Sequence, residues 1–162
     1  MRLFAAIELT DEMKDELCAA QDGLRRAGVR GNFSKRENLH LTLAFIGEYP
    51  DPSRVLGALD EVRFEPFKIS LGRAGSFRSV FWIGIEDERE ASRLAAKVRE
   101  SLAARGIPYD KKPFSPHITI LRQPSVSDLP ETSAPRASMT ASKITLFRSD
   151  RGVRGVVYTA LN

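Results

Sequence analysis

Apolar positions along this chain recur with two different periods, and the switches between them lay out the elements. The opening stretch Leu3-Phe4-Ala5-Ala6-Ile7 is short, apolar and ended by Glu8, so it reads as a first strand. Met13, Leu17, Ala20 and Leu24 then return at helical spacing. Thr10 is a hydroxyl cap for that helix, Asp11 and Glu12 lie at the positive end of its dipole, and Gly28 stops it. A polar, basic approach over residues 30–38 leads into a strand at 39–46, closed by Gly47 and Pro50-Asp51-Pro52. Pro52 opens a second helix through Val62, since proline is tolerated in a first turn.

Residues 64–71 and 80–85 read as two further strands, the second apolar enough to be buried on both faces, and the basic segment 72–79 between them as a flexible loop. A third helix over 88–104 carries its stripe at Ala91, Leu94, Ala95, Val98 and Leu102 and ends at Gly106. Pro113 and Pro116 precede a strand at 117–121, and residues 123–135, with three prolines, read as an exposed loop. Strands at 142–148 and 155–161 complete the chain, joined by a charged turn at 149–154. Strands outnumber helices and several are joined by short turns, which favours an α+β fold of largely antiparallel sheet over an alternating parallel one.

At 162 residues the chain is expected to form one domain, 1–162, with a core that needs no staples. No apolar run approaches bilayer length, and the first strand meets an acid too soon for a signal peptide, so no membrane is expected and the expected address is the cytoplasm. Cys18, the only cysteine, allows no intrachain disulfide and falls on the apolar stripe of the first helix. A net charge of +4 raises the local concentration of anions and points toward phosphate-bearing partners. No long heptad or exposed apolar face argues for a dimer, so a monomer is expected.

The chemistry is concentrated in one repeated frame. Both histidines of the chain begin it: His40-Leu41-Thr42-Leu43 and His117-Ile118-Thr119-Ile120. On a strand such a frame turns imidazole and hydroxyl to one face and the aliphatic residues to the other. The frames lie about half the chain apart, each after a polar or proline-containing approach, which hints at a duplication with two similar lobes. A single frame of this kind is ordinarily a packed histidine; two frames that use every histidine point to a shared site.

Near neutral pH one imidazole can accept a proton while another donates one, the pairing that in-line displacement at phosphorus needs. Two hydroxyls and a nearby arginine can hold the non-bridging oxygens. Two histidines alone are too few for a zinc site and the cysteine is elsewhere, so neither metal nor cofactor is expected. No Gly-x-Ser-x-Gly elbow is present.

The twin frames resemble those of the 2H phosphoesterases. More closely, Met1-Arg2-Leu3-Phe4-Ala5-Ala6-Ile7-Glu8-Leu9, Asn38-Leu39-His40-Leu41-Thr42-Leu43-Ala44-Phe45-Ile46-Gly47-Glu48 and Pro113-Phe114-Ser115-Pro116-His117-Ile118-Thr119-Ile120-Leu121-Arg122 are similar to the bacterial and archaeal RNA 2',3'-cyclic phosphodiesterases, also called 2'-5' RNA ligases. The ending Gly155-Val156-Val157-Tyr158-Thr159-Ala160-Leu161 is similar too. That resemblance implies two pseudo-symmetric lobes of antiparallel sheet with helices packed outside and a central cleft. It implies metal-independent opening of a terminal 2',3'-cyclic phosphate on RNA to a 2'-phosphomonoester, with reversible 2'-5' joining in some members.

Carried over by position, His40 and His117 form the acid–base pair, with His40 assigned as acid and His117 as base, and Thr42 and Thr119 supply the phosphate hydroxyls. Arg122 fits a phosphate or base contact and Phe45 a stacking platform. Both stand five residues beyond their histidine, so each reaches the cleft only if a bulge or strand end intervenes; for Phe45, core packing is the rival reading. Ala44 stands where family members often carry a lysine. Two alternatives stay open: a phosphodiesterase for 2'-5' oligonucleotides or other small cyclic phosphates, and an RNA-end-binding module without turnover.

Overall fold

Two antiparallel sheets carry the strands, and the chain passes back and forth between them. The computed structural model describes residues Met1–Asn162. The elements in order are β1 (Arg2–Glu8), α1 (Asp11–Arg26), β2 (Asn32–Phe33), a single 3-10 turn (Arg36–Asn38), β3 (His40–Glu48), α2 (Pro52–Asp60), β4 (Phe67–Phe77), β5 (Val80–Ile85), α3 (Arg89–Ala104), β6 (Ile118–Arg122), β7 (Ser138–Ala141), β8 (Thr145–Gly152) and β9 (Gly155–Ala160). The first sheet has the order β3-β1-β8-β9 and the second β2-β6-β5-β4-β7.

The helices begin where their chemistry predicts. The Thr10 hydroxyl accepts a hydrogen bond from the Met13 N–H at 3.3 Å, and the Asp51 carboxylate accepts from the Ser53 N–H at 3.1 Å with Pro52 in the first turn of α2. Past α1, Gly28 takes a φ of +87°, in the region glycine enters without strain. Helix placement is crossed: α1, which follows β1 of the first sheet, packs on β6 and β7 of the second, whereas α3, which follows β5 of the second, packs on β3 of the first. One cluster of 33 buried hydrophobic residues draws on both sheets and all three helices. No helix is long and apolar enough to cross a membrane.

Two expected loops are strand instead. The segment 72–79 does not float: β4 continues to Phe77 and pairs with β5 through Gly75 opposite Trp82 and Phe77 opposite Val80, leaving only Arg78 and Ser79 to turn. Glycine is required at position 75 by that pairing, because a Cβ there would lie 2.3 Å from the Trp82 indole. Likewise β8 runs on to Gly152, with Ser149, Asp150 and Arg151 paired to Tyr158, Val157 and Val156, so the charged turn shrinks to Val153 and Arg154. Alternating polar residues on this exposed hairpin gave no apolar signal to mark it. Short β2 and β7 also escaped the sequence reading; they are held by ladder bonds to β6 and β4 rather than by their own propensity. Residues 123–135 contain no regular element, as expected.

Candidate active site

Strand alternation places the first two members of each frame, and an irregularity places the third. In β3, Leu41 and Leu43 are buried while His40 and Thr42 are partly open on the opposite face. The register to β1 then slips: Ala6 faces Thr42 and Ala5 faces Ala44, with Leu43 skipped. Leu43 and Ala44 are consequently both buried, and Phe45 returns to the face of His40 and Thr42 with 49% of its surface exposed. In β6 the same slip recurs: Trp82 faces Thr119 and Phe81 faces Leu121, with Ile120 skipped. Ile120 and Leu121 are both buried and Arg122 emerges exposed. The bulge that both fifth positions require is therefore present in each strand, and core packing is excluded for Phe45. Ala44 is buried in the main core and leaves no cation at that position.

Each histidine is anchored the same way. His40 Nδ1 lies 2.7 Å from the Asn38 carbonyl and His117 Nδ1 lies 2.8 Å from the Ser115 carbonyl. A carbonyl can only accept, so Nδ1 donates in both rings and Nε2 is the nitrogen turned to chemistry. Pro116 supports the second anchor by confining Ser115 to extended backbone. Beyond this the rings differ. His40 Nε2 is 2.8 Å from the Thr42 hydroxyl, whereas His117 Nε2 has no protein partner and is open to water.

Aromatic side chains flank both rings. Phe4 lies 4.8 Å from His40 and Tyr158 meets it edge-on at 5.3 Å; Phe77 meets His117 edge-on at 4.9 Å, backed by Trp82 at 6.2 Å. Burial among these neighbours pushes the His40 ring down to about 4. The Asn38 carbonyl opposes that shift, and the positive charges of Arg122, His117 and Lys14 add to it. The cleft therefore holds His40 neutral at pH 7.

The two frames border one space. His40 and Asn38 from the first frame's approach, Thr119 and Arg122 from the second, and Tyr158 from β9 line a cleft of about 170 Å³. Thr42 and His117 are not part of that lining; Thr42 is bonded to His40, and a positive charge on His117 lowers the proton affinity of His40. Arg122 forms no ion pair in the structure. No group of three or more histidine, cysteine, aspartate or glutamate side chains is placed to hold a metal ion.

Several supporting residues were not legible beforehand. Gln21, on α1 and 3% exposed, donates from Nε2 to the carbonyls of Ser34 at 2.8 Å and Ile120 at 2.9 Å. Ser34 donates its N–H to Ile120 O at 3.0 Å and its hydroxyl to Thr119 O at 2.9 Å. Together they satisfy the Thr119 and Ile120 carbonyls of β6. A glutamine on an otherwise apolar helix stripe was the one available signal. Asn38 also acts twice, its carbonyl orienting His40 and its side-chain amide donating to Val156 O of β9 at 2.9 Å.

Comparison with known proteins agrees with this architecture. Residues 13–153 match the family model of the 2'-5' RNA ligase superfamily. The chain is 38% identical over 141 residues to the RNA 2',3'-cyclic phosphodiesterase of Archaeoglobus fulgidus, covering 80% of this chain and 78% of that protein. It is 32% identical to the Escherichia coli protein of the same name, over 99% and 93% of the two chains. Among solved structures, E. coli LigT complexed with 3'-AMP superposes with a TM-score of 0.83 at 30% identity, covering 99% of this chain and 94% of that one.

Proposed function

Because this chain belongs to the 2'-5' RNA ligase superfamily, we propose that it is an RNA 2',3'-cyclic phosphodiesterase that opens a terminal cyclic phosphate to a 2'-phosphomonoester. The observation that carries the reading is that His40 of the first frame and Thr119 of the second line one cleft, with Nδ1 of each histidine tied to a backbone carbonyl.

His117, with its Nε2 open to water, takes a proton from the attacking water as that oxygen bonds to phosphorus. The P–O3' bond breaks on the opposite side and O3' takes a proton from His40 Nε2, leaving a 2'-phosphate and a 3'-hydroxyl. Thr42, Thr119 and Arg122 hold the non-bridging oxygens as charge develops on them. His40 must be charged to serve as acid, and the substrate provides that charge state: a phosphodiester anion against Nε2 raises the proton affinity that burial lowers in the empty cleft. With an RNA 5'-hydroxyl in place of water, the same proton transfers yield a 2'-5' phosphodiester. Phe45 serves as the surface on which the terminal base stacks.

The test is incubation of the protein with an oligonucleotide ending in 2',3'-cyclic phosphate, in the presence of a chelator, followed by identification of the hydroxyl that retains the phosphate. A 2'-phosphate product at an undiminished rate is expected. A 3'-phosphate product, or intact cyclic phosphate, overturns the proposal.

A further inference from the structure

A second, larger cavity of about 960 Å³ adjoins the cleft and shares Arg122, Val156 and Tyr158 with it. Its size is at the upper end of the range for ligand pockets, roughly 300–1,000 Å³, which exceeds the needs of one terminal nucleotide. Two features of its lining bear on what it takes. Phe45 presents a half-exposed ring, and Tyr109 lies beside it on a segment held by the bond from Asp110 N–H to Phe45 O at 2.8 Å.

The charges are the second feature. Two of the three carboxylates of the cavity are paired with cations, Glu48 with the N-terminal ammonium at 2.9 Å and Asp150 with Arg148 Nε at 2.7 Å, and the third, Asp110, accepts from the Lys112 backbone N–H at 3.0 Å. The guanidinium groups of Arg2, Arg122 and Arg151 have no carboxylate partner. Aromatic faces between guanidinium groups free of ion pairs are the combination that holds a single nucleic-acid strand, bases on the rings and phosphates on the cations.

We propose that this cavity binds the nucleotides immediately 5' to the cyclic phosphate, with Arg2 and Arg151 holding their backbone phosphates, so that the preferred substrate is an oligonucleotide and not a cyclic mononucleotide. The inference rests on the cyclic phosphodiesterase reading and refines its substrate class. Arg2 shares the face of β1 that carries Phe4 toward His40, and Arg151 lies on the β8–β9 hairpin opposite Val156, so both flank the path leading away from the cleft.

The test compares adenosine 2',3'-cyclic phosphate with a pentaadenylate ending in the same group, using the full chain and the double variant R2A/R151A. The wild type is expected to turn over the oligomer with a kcat/KM about tenfold higher or more, and the variant to lose that advantage while changing about twofold or less on the mononucleotide. Loss of these contacts also lowers the slope of log kcat/KM against log salt on the oligomer by ~0.7 per phosphate released. An oligomer no better than the mononucleotide in the wild type, a variant that keeps the advantage, or one that loses equally on both substrates overturns the inference while leaving the cyclic phosphodiesterase reading in place. Absence of turnover on both substrates in the wild type removes that reading, and this inference with it. R151E, which alters only the exposed hairpin, supplies the same comparison should the double variant unfold.

Discussion

Gln21 and Ile120 stand 99 positions apart, yet a 2.9 Å hydrogen bond from the glutamine amide to the isoleucine carbonyl ties helix α1 to the bulge of β6. That carbonyl belongs to the residue skipped in the ladder, and the skip turns Arg122 toward the cleft. The first prediction follows from it. Replacing Gln21 with leucine removes the bond to the Ser34 carbonyl and one of the two that the Ile120 carbonyl accepts, and should cost about 1–3 kcal/mol, read by urea denaturation. Turnover should fall further than H-bond loss at a remote site would cause, because Thr119 and Arg122 lose their alignment. A variant with wild-type kcat would show that the bulge holds without this bond.

Alanine at His40 or His117 should each lower kcat on a cyclic-phosphate oligonucleotide by about 10²–10⁴-fold, the usual contribution of a positioned acid or base. The far-ultraviolet dichroism should be unchanged, since neither ring is part of the hydrophobic core cluster. Full activity in either variant would remove that residue from the mechanism.

Binding of a phosphate-bearing product analogue at pH 6 to 7 should take up a proton, because His40 is held near 4 in the empty cleft and an anion raises its affinity. Calorimetric titration in buffers of different ionisation enthalpy measures the uptake directly. An absent uptake would show His40 staying neutral and acting as the base.

Stability should carry the mark of the same ring. Unfolded, His40 titrates near 6.5; folded, near 4, so between those values the unfolded chain binds the extra proton and stability declines as pH falls from 6.5 toward 4. The full effect is about 3 kcal/mol at one pKa unit per 1.36 kcal/mol, and above pH 6.5 it vanishes. Denaturation midpoints of H40Q should fall less steeply across that window than those of the wild type. Parallel curves would mean that the ring is better solvated than its neighbours imply.

Phe45 to alanine should raise KM for a cyclic-phosphate substrate by the loss of one stacking contact, about 1–3 kcal/mol, with kcat nearly unchanged. Because 49% of the side chain is exposed, the melting temperature should move little. An unchanged KM would show that no base stacks on the ring.

The parts legible in the sequence were those that depend on nearby residues. Thr10 caps the first helix and Pro52 opens the second as their positions foretold, and the strand at 80–85 has the bounds its apolar run implied. The twin frames identified the strands that meet. What was not legible depends on partners distant in sequence: the slips at Leu43 and Ile120 exist only against β1 and β5, and the Ile120 carbonyl is met by Gln21 and Ser34. The extension of β4 rests on the fit of the Trp82 ring over Gly75, which no local pattern records. A frame read to its fifth residue therefore needed the neighbouring strand before Phe45 and Arg122 could be placed.

The crossed helices leave neither sheet self-sufficient. Since α1 roofs the sheet to which β1 does not belong, and α3 the one to which β5 does not, each sheet borrows its cover from a helix that follows a strand of the other, and the two should unfold together in one cooperative transition.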